Sequence, residues 1–330
     1  MICMEVVMGI AGRSVGYDEV VPRDIHFKMN TETVARHWFN GDPWTTQWMN
    51  SILAAVPDGE RWVMNSARAQ LDQLTNPAVR KAAVDFCRQE RIHAREHDEM
   101  NAASIAHGVP LDKLEIVFKQ IRETLQKNLS IQTQSALAAA FEHFTAIISS
   151  VMLENPDLLE DTHPELTAML YWHFVEETEH KGVSFDVYVH AGGGGVKGYA
   201  RRVSSMAFAT AFGMPFMVAS NAYLLYKDKQ LTNWRSALRM TNLLFNKPGI
   251  LTRTITHYLP YYRPDFHPWD DDNRAVIHVW KSAYEKTGDP HKAYKALLEH
   301  QRKHSPAGNK KHKQKQRQTL QPQQPMLNLI

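Results

Sequence analysis

At 330 residues the chain can bury a substantial core, and 43% apolar with 22% charged residues is an ordinary globular balance. Its net charge of +3 rests on residues 302–317, which hold seven lysines and arginines and no acid; the remaining body is slightly acidic, which argues against nucleic-acid binding by the folded part. Two distant cysteines, Cys3 and Cys87, exclude a disulfide framework and point to a reducing, cytoplasmic setting. The N-terminal stretch, interrupted by Glu5 and Asp18, is not expected to be a secretory signal.

Residues 1–30 read as irregular. From Thr31 to about His190 the chain is rich in Ala, Leu, Glu, Gln and Arg, with almost no strand-like alternation. This predicts an all-α bundle over 31–190, with helices at 44–56, 58–73, 77–106, 111–152 and 164–190. Pro57 followed by Asp58 marks a helix start, with Asp58 as its cap; Asn76-Pro77 marks the next, and Gly108-Val109-Pro110 ends it. Asn155-Pro156 and Thr162-His163-Pro164 bracket a turn, and Gly192 to Gly195 closes the bundle.

Residues 191–300 form a second, helical region. Val203 to Tyr226 is 24 residues without a charge, flanked by Arg201-Arg202 and Lys227-Asp228-Lys229, and long enough to span a bilayer. Its serines, Pro215 and Asn221 keep its hydropathy borderline. The reading preferred is a buried helix of a large all-α protein; the rival is a helix inserted in, or lying on, the inner membrane surface. Helices follow at 231–246 and 272–300, separated by the aromatic loop His257 to Trp269. A lid or substrate contact and a packed structural loop are equally compatible with that loop. Residues 301–330, rich in Lys and Gln, read as a disordered tail.

Histidine is the compositional outlier, with 17 copies. Glu90-x-x-His93 and Glu177-x-x-His180 each place a carboxylate and an imidazole about 60° apart on one helix face, where both can reach one metal. One such motif is weak evidence. Here each follows a lone glutamate, Glu60 and Glu142, at gaps of 30 and 35 residues, which fit one helix and a connection. Di-metal carboxylate bundles use this inventory: one Glu from each of two helices and Glu-x-x-His from the other two. Four carboxylates neutralise two divalent ions, and the O/N donor set suits iron, with manganese the alternative, better than tetrahedral zinc.

Taken singly, Glu60 would be a solvated or capping residue and His93 a core or surface histidine. Glu142, among apolar neighbours, is costly unless paired. His173, four residues before Glu177, lies on the same helix face; its bland reading is a supporting or core histidine. His97 and Asp186 are placed behind the ligands as hydrogen-bond partners. Glu96, Glu176 and Glu179 are expected to be solvated or paired along the helix. Glu60 follows a Pro-Asp-Gly break, so Asp58 is kept as a substitute ligand.

Val56-Pro57-Asp58-Gly59-Glu60, Gln89-Glu90-x-x-His93-x-x-x-His97, Phe141-Glu142-His143-Phe144-Thr145, Trp172-His173-x-x-Glu176-Glu177-x-Glu179-His180-Lys181 and Arg263-Pro264-x-Phe266-His267-Pro268 together resemble the bacterial family of predicted metal-dependent hydrolases, from about Val21 to His300. The ligand order resembles the ferritin-like di-iron superfamily, and the His173-x-x-x-Glu177-x-x-His180 helix is similar to that of arylamine N-oxygenases. These resemblances imply a four-helix bundle with added C-terminal helices and two metal ions. The latter implies His173 as an extra ligand to one of them. The leading expectation is an O2-activating di-iron enzyme oxidising a small or lipid-like apolar substrate. Hydrolysis through a metal-activated water is the alternative, and non-enzymatic iron storage a third reading.

Overall fold

A computed structural model describes residues 20–304. Most of the segment 1–30, Cys3 and all but the first residues of the tail 301–330 therefore lie outside the described residues. Among the described residues there is no strand. Residues 20–42 form turns and extended chain, although Val34, Trp38 and Phe39 are buried.

Helix α1 (Pro43–Leu53) begins on Asp42, whose carboxylate accepts from the Thr45 amide. Helix α2 (Val56–Arg68) opens two residues earlier than the sequence implied, because Pro57 fits the first turn, where no backbone donor is needed. Asp58 is therefore not a cap; it lies inside the first turn and accepts from Arg122 Nε at 2.9 Å. Helix α3 (Pro77–Ala106) is capped by Asn76, which accepts from the Ala78 amide at 2.9 Å.

The single helix expected over 111–152 is two: α4 (Leu111–Asn128) and α5 (Ile131–Glu154). Ser130, in extended conformation, caps α5 through the Thr133 amide and so ends the continuity. The helix expected over 164–190 also divides, into α6 (Pro164–His180) and α7 (Val183–Tyr188), followed by a π-helical turn at Val189–Gly193. Gly182 sits at that break because Trp269 packs onto it; a β-carbon there would lie 2.7 Å from Trp269 Nε1.

Helix α8 (Gly195–Lys227) follows, then α9 (Trp234–Phe245) and α10 (Ile250–Tyr258), the last within a stretch where no helix was expected. The helix expected over 272–300 is α11 (Arg274–Thr287) and α12 (Pro290–His304), parted by Gly288 in the left-handed region at φ 62°.

Helix α2 packs along α3, α3 meets α6, α6 packs on α5, and α5 returns to α2, closing a ring of four. Helix α4 crosses outside the ring with only Leu111 and Leu114 buried. Helices α11 and α12 cover α6, so α6 is buried on every side from Leu166 to His180. One apolar cluster joins Met100, Met169 and Trp172 of the ring to Leu244, Trp280 and Leu297 of the C-terminal helices. The 257–269 loop is packed rather than open: Tyr261, Phe266 and His267 are buried, and the loop walls a cavity of about 200 Å³ with His143 and Lys181.

Helices Ile131–Glu154 and Gly195–Lys227 are, among the described residues, long and apolar enough to cross a membrane. The apolar window of the first is 78% buried and that of the second 22%. The buried-helix expectation for 203–226 is thus corrected: α8 buries one face, with Met206 and Leu224, and exposes the other.

Candidate metal centre

Inside the ring, α2 contributes Glu60, α3 contributes Glu90, His93 and His97, α5 contributes Glu142, and α6 contributes His173, Glu177 and His180. All eight are at most 6% exposed. Six of them fall into two groups whose ligand atoms lie within 4.8 Å of one another: Glu60, His93, His173 and Glu177 in one, Glu90, His93, Glu177 and His180 in the other. Glu177 and His93 belong to both.

Buried polar atoms normally find partners, yet here they do not. Both oxygens of Glu60 and of Glu90, Glu177 Oε2, His93 Nδ1, His173 Nε2 and His180 Nε2 lack any hydrogen bond. His173 Nε2 lies 2.8 Å from Glu177 Oε1 without forming one. Eight such atoms facing one another at full burial are costly unless protons or a cation lie between them. Oxygen and nitrogen donors from three carboxylates and three imidazoles fit divalent cations.

The other imidazole nitrogens are engaged. His93 Nε2 is 3.0 Å from Glu176 Oε2, and His180 Nδ1 is 2.9 Å from Glu142 Oε2. His173 Nδ1 is 3.2 Å from His97 Nε2. Each ring is thereby turned so that its unpartnered nitrogen faces inward. Glu142 is in neither compact group; here it holds His180. Glu60, brought in by the early start of α2, is in one. Asp58 is engaged with Arg122, and Asp186 contacts His267 Nε2 at 3.1 Å.

Glu176 and Glu179, expected to be solvated or paired along the helix, are instead buried at 0% and 2% exposure and paired across the fold, because α11 and α12 cover their side of α6. Arg23 clamps both, at 2.9 Å to Glu176 and 2.7 Å to Glu179, and Lys281 reaches Glu179 at 3.0 Å. Glu96 is also buried, accepting from the Phe27 amide and from Arg95. Phe86 meets His180 edge-on, and Trp172 meets His93 likewise.

Burial, and then the neighbouring carboxylates, push the acids up. Glu60 and Glu90 stand well above the ordinary value of 4.5, and Glu142 is raised to about 7. Against burial, His180 and His173 hold Glu177 down at about 2. Burial, then His173 and His180, depresses His93, while Glu177 and Glu142 overcome burial to raise His180 to about 9. The metal-free cluster therefore favours protons on Glu60, Glu90 and Glu142; the stability that the Glu142 proton contributes is present below pH about 4.5 and lost as pH rises through about 7, and that of Glu60 and Glu90 is likewise lost above the ordinary carboxylate range. The melting midpoint of chelator-treated protein should fall between pH 5 and 8, whereas that of metal-loaded protein should not, since ligation needs the deprotonated acids. Scanning fluorimetry across that range checks this; parallel curves would refute it.

A family model described as predicted metal-dependent hydrolase matches residues 21–272. No curated protein and no solved structure shows significant similarity to the chain.

Proposed function

The chain belongs to the family of predicted metal-dependent hydrolases, and from that membership together with the eight inward-facing, unpartnered ligand atoms we propose that it is a hydrolase working through two divalent metal ions. Glu177, common to both groups, would serve both ions. Glu60 and His173 complete one ligand set, and Glu90 and His180 the other, with His93 between them. Glu142 steadies His180 and supplies a fourth buried carboxylate. The ring of four helices and the ligand order support placing the chain with the ferritin-like di-metal carboxylate bundles.

Such an ion pair, when bound, supplies a water activated near neutral pH and an electrophilic clamp for an ester or phosphoester. The chain's own contribution is orientation and dryness. Glu176, His97 and Glu142 fix the imidazoles, and Phe86 and Trp172 wall the rings from solvent.

One feature favours a second reading. A third histidine, His173, lies 2.8 Å from the shared Glu177, so that each group holds two imidazoles, and iron in such a nitrogen-rich, apolar setting suits O2 activation toward a small or lipid-like apolar substrate. A single experiment separates the two. Protein loaded anaerobically with Mn(II) or Fe(II) is assayed on ester and phosphoester panels, then exposed to air. Hydrolysis without oxygen, abolished by chelation, supports the first reading. A transient visible band with oxygen uptake and no hydrolysis at any stage would replace it with the second.

A further inference from the structure

Fifteen large apolar side chains are exposed among the described residues, and eleven of them lie between Val196 and Leu259. They are not scattered over that stretch. On α8, Phe208, Phe212 and Tyr226 fall within about 40° of one another, opposite the buried Met206, Ser220 and Leu224. On α9, Trp234, Leu238 and Phe245 fall within a similar arc, away from the buried Ser236 and Leu244. Beyond them, Ile255 and Leu259 face away from the buried Ile250 and Thr254 of α10. A surface helix normally turns a polar face outward, and these three consecutive helices each carry an outward apolar stripe instead. The Thr210 and Tyr258 hydroxyls, 2.7 Å apart, join α8 to α10.

Charge names the occupant. Between residues 187 and 264 the chain carries ten lysines and arginines and one acid, Asp228. That acid is turned inward, with Arg36 and His37 both 2.7 Å away. Asp42 and Glu154, from other helices, match Arg239 and Arg253, but Lys197, Lys227, Lys229, Arg235 and Lys247 make no ion pair among the described residues. Arg235 lies 5.4 Å from the Trp234 ring. Exposed tryptophan and phenylalanine with unmatched cations along the same three helices are the chemistry of helices lying in an anionic lipid interface. A two-fold contact between copies would set the same cations against one another. A bilayer-spanning α8 would have to draw the buried Arg202, Ser220 and Asn221 out of the protein.

We propose that α8, α9 and α10 form a docking face for an anionic bilayer surface, on which the protein lies without crossing it. The test is flotation of the full chain with vesicles of phosphatidylcholine alone or with about 30% phosphatidylserine. The chain should float with the anionic vesicles at low salt and be largely released at high salt. Phe212→Ser with Trp234→Ser and Leu238→Ser should lower binding at least tenfold. Arg235→Gln with Lys247→Gln should lower it about thirtyfold on anionic vesicles alone. These side chains are exposed, so melting midpoints should stay within a few degrees of the parent, which separates lost docking from lost folding. Absence of flotation, or binding that survives both sets of substitutions, would overturn the proposal. So would a dimer in gel filtration that the triple substitution dissociates, since the face would then join two copies.

Discussion

Glu177→Ala should leave the protein folded at low pH but unable to retain metal, with affinity down by more than about a hundredfold. Glu177 belongs to both ligand groups and is the acid held most firmly ionised, at about 2, by His180 and His173 against its burial. Removing it takes a donor from both ion positions together, whereas Glu60→Ala or Glu90→Ala takes one from a single group. Equilibrium dialysis followed by elemental analysis should therefore rank the three, with Glu177→Ala losing both ions and each of the others retaining part of the load. Equal losses from all three would show that the two groups are not separate positions, and undiminished metal in Glu177→Ala would remove the proposed centre.

The second large effect is expected from a residue that touches no metal position. Arg23→Met should destabilise the fold by about 3–5 kcal/mol, because it strands Glu176 and Glu179 in a dry interior with only Lys281 and Gln89 left near Glu179. For a domain of this size the midpoint should drop by on the order of 10 °C. Burial already lifts Glu176 to about 8 with Arg23 present, so without the guanidinium it takes a proton more readily and holds His93 less firmly. Metal affinity should fall about 10–100-fold as well. Adding Glu179→Gln to Arg23→Met should restore part of the stability, since the stranded charge is then gone. If the double variant melts below the single one, the effect belongs to lost packing of the arginine stem.

The ligand order could be read from spacing because i, i+3 and i, i+4 geometry is local to a helix. Glu90 and His93, or His173, Glu177 and His180, share a face whatever surrounds them. The helix class was legible for the same reason. What spacing could not say is which other faces are covered. Glu176 and Glu179 read as solvated or paired along the helix because they lie off the ligand face, but α6 has apolar residues around its whole circumference: Leu166, Met169, Leu170, Tyr171, Trp172, Phe174 and Val175. A helix apolar on all sides has no solvated face, and that signal would have marked both acids as paired. Arg23 was invisible because it lies 153 residues from its partner, in a segment without periodicity.

Breaks inside helical text were the other gap. Ser130 and Gly288 are ordinary cap residues, and only the chain's need to reverse direction makes them act as caps. Glu60 and Glu142 exchanged standing for a comparable reason. The Pro-Asp-Gly stretch lies inside α2, which carries Glu60 into the cluster, while His180 turns Glu142 partly aside. The outward stripes of α8 to α10 were half legible: an uncharged run shows in the sequence, but its exposure depends on what packs against it.

The exposed crossing helix α4 divides the ligands into an early set, Glu60, Glu90 and His93, and a late set, Glu142, His173, Glu177 and His180. Ions held by both sets would act as cross-links closing a loop of more than a hundred residues between Glu60 and Glu177. Occupancy is thus a report that both halves of the chain have arrived. Neither half offers a complete set alone, so an incompletely folded chain has little with which to capture a metal ion.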